Sequence, residues 1–374
     1  MAVAPFAPVW GSTTVMSFVL RKLATCACVL VLLAYTWSAS PARSSTSSSD
    51  EDDVAAFYKG KTVRIVVGFP PGGGYDSYSR VIGRHLGKHI AGNPTVIIDN
   101  MAGAGSIVAA NYVFNVAPKD GTIIGNVSGP IILEQLFGNT GVQFDMAKFR
   151  YLGVPVPEVY LMLVNRRSGI TKLEELLGSK PRQATIGGIP NTTIEHAPLL
   201  MRDVVGANIK VVSGYKGSAD IRLAMDSGEV DGFFNTWTSA KIAVLDLIKN
   251  GEWLVLAQLT DTPLHDLPFS KVPTIGAITR NEEQRELLRL GTAVPSQFAK
   301  VYLMAPGAPP QRAAALESAF MKTFVDRDFM KDAEKGKIEI DPLSGGQTTS
   351  LVSQFLSMPE NLKAKLKSVI HGQK

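Results

Sequence analysis

The sequence predicts an α/β protein with mostly parallel sheets. Short apolar runs alternate with helical patterns over most of the chain, and this alternation is typical of strands joined by helical crossovers. The predicted strands are 62–67, 95–98, 122–127, 160–164, 183–186, 210–212, 232–234 and 253–258, and the predicted helices include 76–90, 106–116, 172–177, 194–205 and 218–227. Beyond residue 280 the pattern is mostly helical, and 311–325 is the clearest amphipathic helix.

A repeated tetrapeptide suggests two lobes. "VYLM" occurs at 159–162 and again at 301–304, and each copy has the pattern of a strand. One interpretation is that the chain crosses into a second lobe at the first copy and returns at the second. Lobe 1 would then comprise 54–162 and 301–374, and lobe 2 would comprise 163–300. Chance repetition of four apolar residues is the alternative.

The first 53 residues differ from the rest. Arg21 and Lys22 precede an apolar run at 23–37, and small residues follow at 38–42. This order predicts a secretory signal peptide over 1–42, because the apolar run is shorter than the ~20 residues a spanning helix needs. A retained N-terminal anchor is the alternative, and Met16 is a candidate start. Residues 43–53 predict a disordered linker, and export predicts a periplasmic protein.

Composition narrows the function. The chain has 374 residues, 45% of them hydrophobic, which allows one or two well-packed domains. Both cysteines, Cys26 and Cys28, lie within the predicted signal peptide, so the mature chain is expected to lack thiol nucleophiles, cysteine zinc sites and disulfides. Removing 1–42 takes away two basic residues and no acids, so the net charge falls from +5 to +3. No basic stripe interleaved with aromatics indicates nucleic-acid binding.

The first candidate loop, "GFPPGGGYDSYSR", follows the strand 62–67. It lacks the Lys and Ser/Thr that a phosphate loop places after its last glycine. Its glycines allow a close backbone approach, and the free amides at the start of the next helix favour an anion. Asp76 could cap that helix or accept a hydrogen bond from a ligand. The candidate ligand-binding residues here are Pro71, Gly72, Gly73, Gly74, Tyr75 and Asp76.

Two further loops follow strands 95–98 and 122–127. "NMAGAGSIVAAN" supplies Gly105 and Ser106, but Val108 stands where a dinucleotide fingerprint has its third glycine. "NVSGP" supplies Ser128, whose hydroxyl could donate to a ligand. Because ligands of open α/β sheets bind at the carboxyl ends of the strands, the three loops together predict one site.

The second candidate lobe repeats the pattern. In "IGGIPNTTIEHAPLL" a glycine pair and hydroxyl residues precede a helix, and Asn191, Thr192, Thr193 and His196 are candidate ligand contacts. Helix capping alone would also explain the threonines, and His196 could equally belong to the core. "SGYKGS" adds Tyr215 and Lys216, the latter a possible anion contact or a solvated side chain.

Catalytic and metal sites are not indicated. His85 and His89 are four residues apart on one helix face, but no acidic partner or further ligand is evident in the sequence. No G-x-S-x-G motif is present, so a serine hydrolase is not expected. We therefore expect no catalytic residue, no metal and no cofactor.

Five stretches together resemble the Bug-type solute receptors of tripartite tricarboxylate transporters. They are "KTVRIVVGFPPGGGYDSYSR", "VIIDNMAGAGSIVAANYV", "APKDGTIIG", "VVSGYKGSADIRLAMDSGEVDGFF" and "LMAPGAPPQR", which lie between about residues 57 and 341. The resemblance implies a type II periplasmic-binding-protein fold, with two α/β lobes joined by crossing hinge strands and closing on a small carboxylate. Many relatives have Gly-Ser then His in the second-lobe loop, whereas this chain has Asn191-Thr192-Thr193 followed by Glu195-His196.

The resemblance implies an extracytoplasmic substrate-binding protein that delivers a small carboxylate to membrane permease subunits. We expect it to be a monomer and, from its composition, not to bind nucleic acid. Two alternatives stay open at this point. One is an exported enzyme acting on small acids, for which only His196, Asp76 or Glu195 could serve as the base. The other is a sensor subunit that presents its ligand to a signalling membrane protein.

Overall fold

The computed structural model describes residues 48–265 and 271–372, with side chains from residue 51. The predicted signal peptide lies outside this range. Within it, no helix combines the length and the apolar character that crossing a bilayer requires. Residues 48–53, predicted as linker, instead begin a helix at Ser48–Tyr58. The acidic run at 50–53 favours a helix N-terminus, and Val54 and Tyr58 anchor the helix in the core.

Strands and helices alternate through most of the chain. The strands are β1 (Thr62–Val67), β2 (Thr95–Asn100), β3 (Ile123–Ser128), β4 (Arg150–Val154), β5 (Tyr160–Asn165), β6 (Ala184–Gly188), β7 (Ile209–Ser213), β8 (Gly232–Thr236), β9 (Trp253–Leu259), β10 (Lys300–Met304) and β11 (Leu343–Ser344). The α-helices are α1 (Ser48–Tyr58), α2 (Gly74–Leu86), α3 (Ile107–Asn111), α4 (Ile132–Phe137), α5 (Thr193–Leu200), α6 (Ser218–Ser227), α7 (Trp237–Lys249), α8 (Ile275–Ile278), α9 (Glu282–Leu288), α10 (Val294–Ser296), α11 (Pro310–Thr323), α12 (Arg327–Lys335), α13 (Gly345–Leu356) and α14 (Glu360–His371).

The strands form two mixed sheets. The first has the order β11-β4-β10-β3-β1-β2, and the second has the order β7-β6-β8-β5-β9. Pairs β1/β2, β1/β3, β6/β7 and β6/β8 are parallel. Strand β10 lies antiparallel between β3 and β4, and β5 lies antiparallel between β8 and β9. The expectation of mostly parallel sheets was therefore wrong, because the strand at each change of sheet enters against the direction of its neighbours.

The two "VYLM" copies lie at these changes of sheet. The chain leaves the first sheet after β4 and enters the second at β5, and it returns to the first at β10. Both copies are strands, as the sequence predicts, and every residue of β5 and β10 is buried. The exact limits of the two lobes stay a prediction.

Most predicted helices are present but several are shorter or wound differently. The predicted helix 172–177 is a 3₁₀ turn at Leu173–Leu176, and 106–116 is α3 followed by a π-helical segment, Tyr112–Val116. His85 and His89 have acidic partners after all: their Nε2 atoms lie 3.0 and 3.3 Å from carboxylate oxygens of Asp332 and Asp326. These histidines therefore tie α2 and the 3₁₀ turn after it, Gly87–His89, to the region of α12. Among the described residues no cluster of three potential metal ligands is found.

Candidate functional site

A cleft lies between the two sheets, at the carboxyl ends of their parallel strands. The loops after β1, β3, β6, β7 and β8 surround it, and the cavity that they leave is small, about 30 Å³. Its lining consists of Phe69, Pro70, Pro71, Gly73, Gly74, Tyr75, Ser128, Tyr160, Ile189, Thr192, Ile194, Gly217, Ser218, Ala219, Asn235, Thr236 and Ser239. The position is where ligands of open α/β sheets bind.

Four α-helices begin at this cleft. Helices α5 and α7 have side-chain caps: the Thr192 hydroxyl accepts from Ile194 N at 3.2 Å, and the Thr236 hydroxyl accepts from Ser239 N at 3.3 Å. Helices α2 and α6 follow Gly73 and Gly217, which have no side chain to cap them. The first turns of α2 and α6 therefore have no side-chain acceptor of their own, and their backbone N–H groups are available to an external acceptor.

The cleft contains no formal charge. None of the side chains in its lining carries a carboxylate, ammonium, guanidinium or imidazole group. Burial raises the pKa of the Tyr75 and Tyr160 hydroxyls far above its ordinary value, so both rings stay neutral. The electrostatic character of the site is therefore set by the positive ends of the helix dipoles.

The two walls of the cleft contact each other closely. A Cβ atom added to Gly74 would lie 2.0 Å from Ser239 Oγ, and one added to Gly217 would lie 2.7 Å from Pro70 Cγ. A Cβ added to Gly73 would lie 3.4 Å from Ser218 Oγ. Glycine is needed at 74 and 217 because any side chain there would hold the walls apart.

Six predicted site residues line the cleft: Pro71, Gly73, Gly74, Tyr75, Ser128 and Thr192. The hydroxyl of Tyr75 donates to the Ala299 carbonyl at 2.8 Å, which fixes its ring against Phe69. The hydroxyl of Thr192 donates to the Ile189 carbonyl at 2.8 Å. The structure thus places the first-strand loop and the second-sheet loop at the same cleft.

Asp76 and Gly72 lie behind the first loop. The Asp76 carboxylate accepts from Gly72 N and Asn100 Nδ2, each at 3.0 Å, and from Arg80 Nε at 2.9 Å. Burial raises the pKa of Asp76, but these hydrogen bonds and the Arg80 charge outweigh it and hold the pKa below its ordinary value. Asp76 therefore stabilises the glycine loop from outside the cleft lining.

Gly105 and Ser106 support the loops. Gly105 has φ +62°, and a Cβ there would lie 2.4 Å from the Pro190 carbonyl oxygen. The Ser106 hydroxyl accepts from Ser128 N at 2.8 Å. Neither residue lines the cleft, and both position residues that do.

The remaining predicted residues also lie outside the lining. Asn191 N donates to Glu195 Oε2 at 3.1 Å, and the Tyr215 hydroxyl donates to Glu229 Oε1 at 2.5 Å. Lys216 is exposed. Thr193 is fully buried beside the cleft.

His196 belongs to a buried group away from the cleft lining. Its Nε2 lies 3.2 Å from Glu134 Oε1, and His371 Nε2 lies 3.2 Å from Glu134 Oε2. Burial raises the pKa of Glu134, but the neighbouring imidazoles of His196 and His371 and the hydrogen bond from Asn139 Nδ2 outweigh burial and hold that pKa below its ordinary value. His196 thus connects α5 to α4.

Sequence reasoning missed the contribution of β8 and the start of α7. Asn235, Thr236 and Ser239 line the cleft, and the sequence "FFNTWTS" places them directly after an apolar strand. This is the same signal that identified the other loops: polar residues at the carboxyl end of a strand. It was overlooked because this connection has no glycine.

A buried charged pair lies behind the cleft wall. Lys300 and Glu158 have fully buried side chains and are in direct contact through Nζ and Oε1. Lys300 Nζ also donates to Thr238 Oγ1 at 3.0 Å and lies 5.6 Å from the ring centre of Tyr75. Burial lowers the pKa of Lys300 to about 7, and the adjacent carboxylate opposes that shift.

The comparisons with known proteins agree with this architecture. The model of the tripartite tricarboxylate transporter family receptor matches residues 79–365. The UPF0065 protein of the tcbD-tcbE intergenic region of Pseudomonas sp. strain P51 is 28% identical over 205 residues, which cover 54% of this chain. The chain spans 59% of the length of that relative.

Solved structures show the same fold. The periplasmic binding protein BugD has a TM-score of 0.65 at 16% identity, covering 83% of this chain and 98% of its own. An R. palustris protein with adipate has a TM-score of 0.63 at 22% identity and 82% and 97% coverage. MatC from Rhodopseudomonas palustris with bound malate has a TM-score of 0.60 at 16% identity, with coverage of 83% and 99%. The two-sheet periplasmic-binding-protein fold predicted from the resemblance is therefore confirmed.

Proposed function

Because the chain belongs to the tripartite tricarboxylate transporter receptor family, we propose that it captures a small carboxylate between its two lobes and delivers it to the permease subunits of such a transporter. The family and the fold are those of solute-binding receptors. The observation that carries the proposal is the meeting of two helix N-termini without side-chain caps, α2 and α6, across a cleft without charged side chains.

A carboxylate suits this environment. The N-terminus of an α-helix carries about half a positive charge and several unpaired N–H donors, which together stabilise an anion. A cationic ligand would instead face the positive ends of helix dipoles. The R. palustris neighbours were solved with adipate and with malate, so small carboxylic acids are bound by proteins of this fold.

Binding would be coupled to closure. The amides of α2 belong to the first sheet and those of α6 to the second, so one acid group contacts both only when the walls meet. A ligand shifts an equilibrium by its difference in affinity for the two states, and contacts on both walls exist only in the closed state. The closed receptor is then the form that the permease recognises.

The location follows from the same premise. Family members are periplasmic binding proteins, and residues 1–42 are proposed as the signal peptide that exports this chain. We propose that it acts there as a monomer and without a cofactor.

Catalysis is not part of the proposal. The cleft lining offers hydroxyls, amides and apolar groups, but no side chain that would act as a base near neutral pH. Of the bases considered from the sequence, Asp76 and His196 are engaged with other side chains outside the lining. Glu195 accepts from Asn191 N there.

A thermal-shift screen of the purified protein tests the proposed function. The probes are adipate, malate, citrate, benzoate and glutamate, with the matching alcohols or amides as uncharged controls. An acid at 100 times its Kd should add about 2.7 kcal/mol to the free energy of unfolding, and NMR of the acid should show no turnover. Failure of every acid to raise the midpoint, or consumption of the acid, would contradict the proposal.

A further inference from the structure

One buried amide in the cleft has an unused donor. Asn235, at the end of β8, lines the cleft and is only 3% exposed. Its Oδ1 accepts from Thr236 N at 3.0 Å, whereas its Nδ2 has no hydrogen-bond partner. Because the backbone N–H needs an acceptor, the bond to Thr236 fixes which way the amide group points.

A buried donor without a partner is unfavourable. A buried donor left unsatisfied destabilises the folded protein by the desolvation penalty of that group, so most buried polar atoms are paired. The fold uses only the oxygen of Asn235, and an aspartate would supply that acceptor equally well. The nitrogen is therefore what distinguishes Asn235 from its isostere, and it stands in the wall of the ligand cleft.

The surroundings of Asn235 favour an acceptor as its partner. Ser239, four residues further on, approaches the backbone of Gly74 at the first turn of α2, and Thr236 already bonds Ser239 through its hydroxyl. Asn235 thus belongs to the wall that faces the first turn of α2. A carboxylate accepts from several donors at once, so one acid group would satisfy Asn235 Nδ2 together with the N–H groups of the first turn of α2.

We propose that Asn235 Nδ2 donates a hydrogen bond to the acid group of the ligand, and that this side chain selects ligands presenting an anionic acceptor. The inference rests on the proposed function and adds to it a residue that recognises the ligand. Because Asn235 is in the second sheet and α2 is in the first, the hydrogen bond also contributes to closure.

The exchange Asn235→Asp replaces the donor by an acceptor and keeps the bond to Thr236. Asn165 supplies a matched control, because it ends β5 at the opposite end of the same sheet and its Oδ1 accepts from Arg167 N at 3.0 Å. We expect Asn235→Asp to raise the Kd at least about tenfold for whichever of adipate, malate, citrate, benzoate or glutamate the wild type binds. Asn165→Asp should leave that Kd within about twofold.

Titration calorimetry of the wild type and both variants distinguishes the outcomes. If the wild type binds an acid and the Asn235→Asp variant binds it equally well, the proposed role of Asn235 is overturned and the proposed function stands. A wild type that binds none of the five acids overturns both. Circular dichroism and the unfolding midpoint without ligand establish that each variant is folded.

A second measurement needs no variant. In the wild type labelled with ¹⁵N-asparagine, the side-chain amide protons of Asn235 should shift when the bound acid is added, because a new acceptor lies against them. The resonances of Asn165 should stay where they are. An Asn235 amide that does not move at saturating acid would overturn the inference, even if the aspartate variant did not fold.

Discussion

The pair Lys300–Glu158 offers a quantitative test of how the two sheets are joined. Glu158 lies between β4 and β5, where the chain leaves the first sheet, and Lys300 begins β10, where it returns. Both side chains are fully buried and in contact. Ser296 Oγ, just before the return, also donates to the Glu158 carbonyl at 2.7 Å. Lys300→Met removes the ammonium, roughly preserves the side-chain length and leaves the Glu158 carboxylate buried without its cation.

Removing one member of a buried pair costs about 3–5 kcal/mol, because the other charge is left uncompensated. The double variant Lys300→Met with Glu158→Leu removes both charges and leaves an apolar contact. Replacement of buried pairs by hydrophobic residues is often neutral or stabilising, but the hydroxyl of Thr238 loses its acceptor, which costs about 1 kcal/mol. We expect the double variant to lie within about 2 kcal/mol of the wild type.

Urea unfolding followed by circular dichroism measures these free energies, provided that the slope m is unchanged. Lys331→Met is the control, since its partner Asp328 is at 3.9 Å and both side chains are about two-thirds exposed. That exchange should cost less than about 1 kcal/mol. A loss below about 1 kcal/mol in Lys300→Met, or a double variant as unstable as the sum of its single exchanges, would refute the reasoning.

Two further predictions concern the loops. Gly217→Ala places a Cβ 2.7 Å from Pro70 Cγ across the cleft, so it should raise the Kd for the bound acid about tenfold while leaving the unfolding midpoint without ligand almost unchanged. Gly276→Ala is the control, because the space around Gly276 is open. Equal affinities of the Gly217→Ala variant and the wild type would contradict the proposed closure. Asp76→Ala removes an acceptor of three hydrogen bonds and should lower the free energy of unfolding at pH 7 by about 1–3 kcal/mol, with the Kd changed less than about threefold. Because the pKa of Asp76 is lowered in the fold, the stabilisation that Asp76 contributes is present above the ordinary pKa of an aspartate and is lost as pH falls through the lowered value. In urea unfolding from pH 7 to pH 3, the free energy of unfolding of the variant should therefore converge on that of the wild type. A difference between the two that stays constant over this range would contradict the prediction.

The sequence predicted much of the fold because most strands are short apolar runs. Strands β1, β6 and β9 were placed within two residues of their observed limits. Strand β4 was missed because "RYLGV" has no alternation and contains a glycine, and β11 is too short, at two residues, to give a pattern. The antiparallel insertion of β5 and β10 depends on contacts far apart in sequence, which periodicity does not reveal.

The candidate site was predicted less completely than the fold. Glycines next to strand ends selected Gly73 and Gly74, which line the cleft where a close approach of its two walls requires residues without side chains. The same signal selected Gly105, whose close neighbour is another loop of the protein. Asp76 shows a second limit: an acid at the start of a helix has the same sequence signature whether it faces a ligand or, as here, its own loop.

The absence of a cation among the side chains that line the cleft bears on how the proposed receptor would couple binding of an acid to closure. A lysine in one wall would attract an acid without help from the other wall, so binding and closure would be only loosely coupled. Backbone amides are fixed in place and lose no side-chain entropy on binding, but those of α2 and α6 contact one acid group together only when the walls meet. Lys300, directly behind the wall, does not disturb this arrangement because Glu158 compensates its charge. The geometry therefore favours a receptor in which binding of an acid and closure of the cleft occur together.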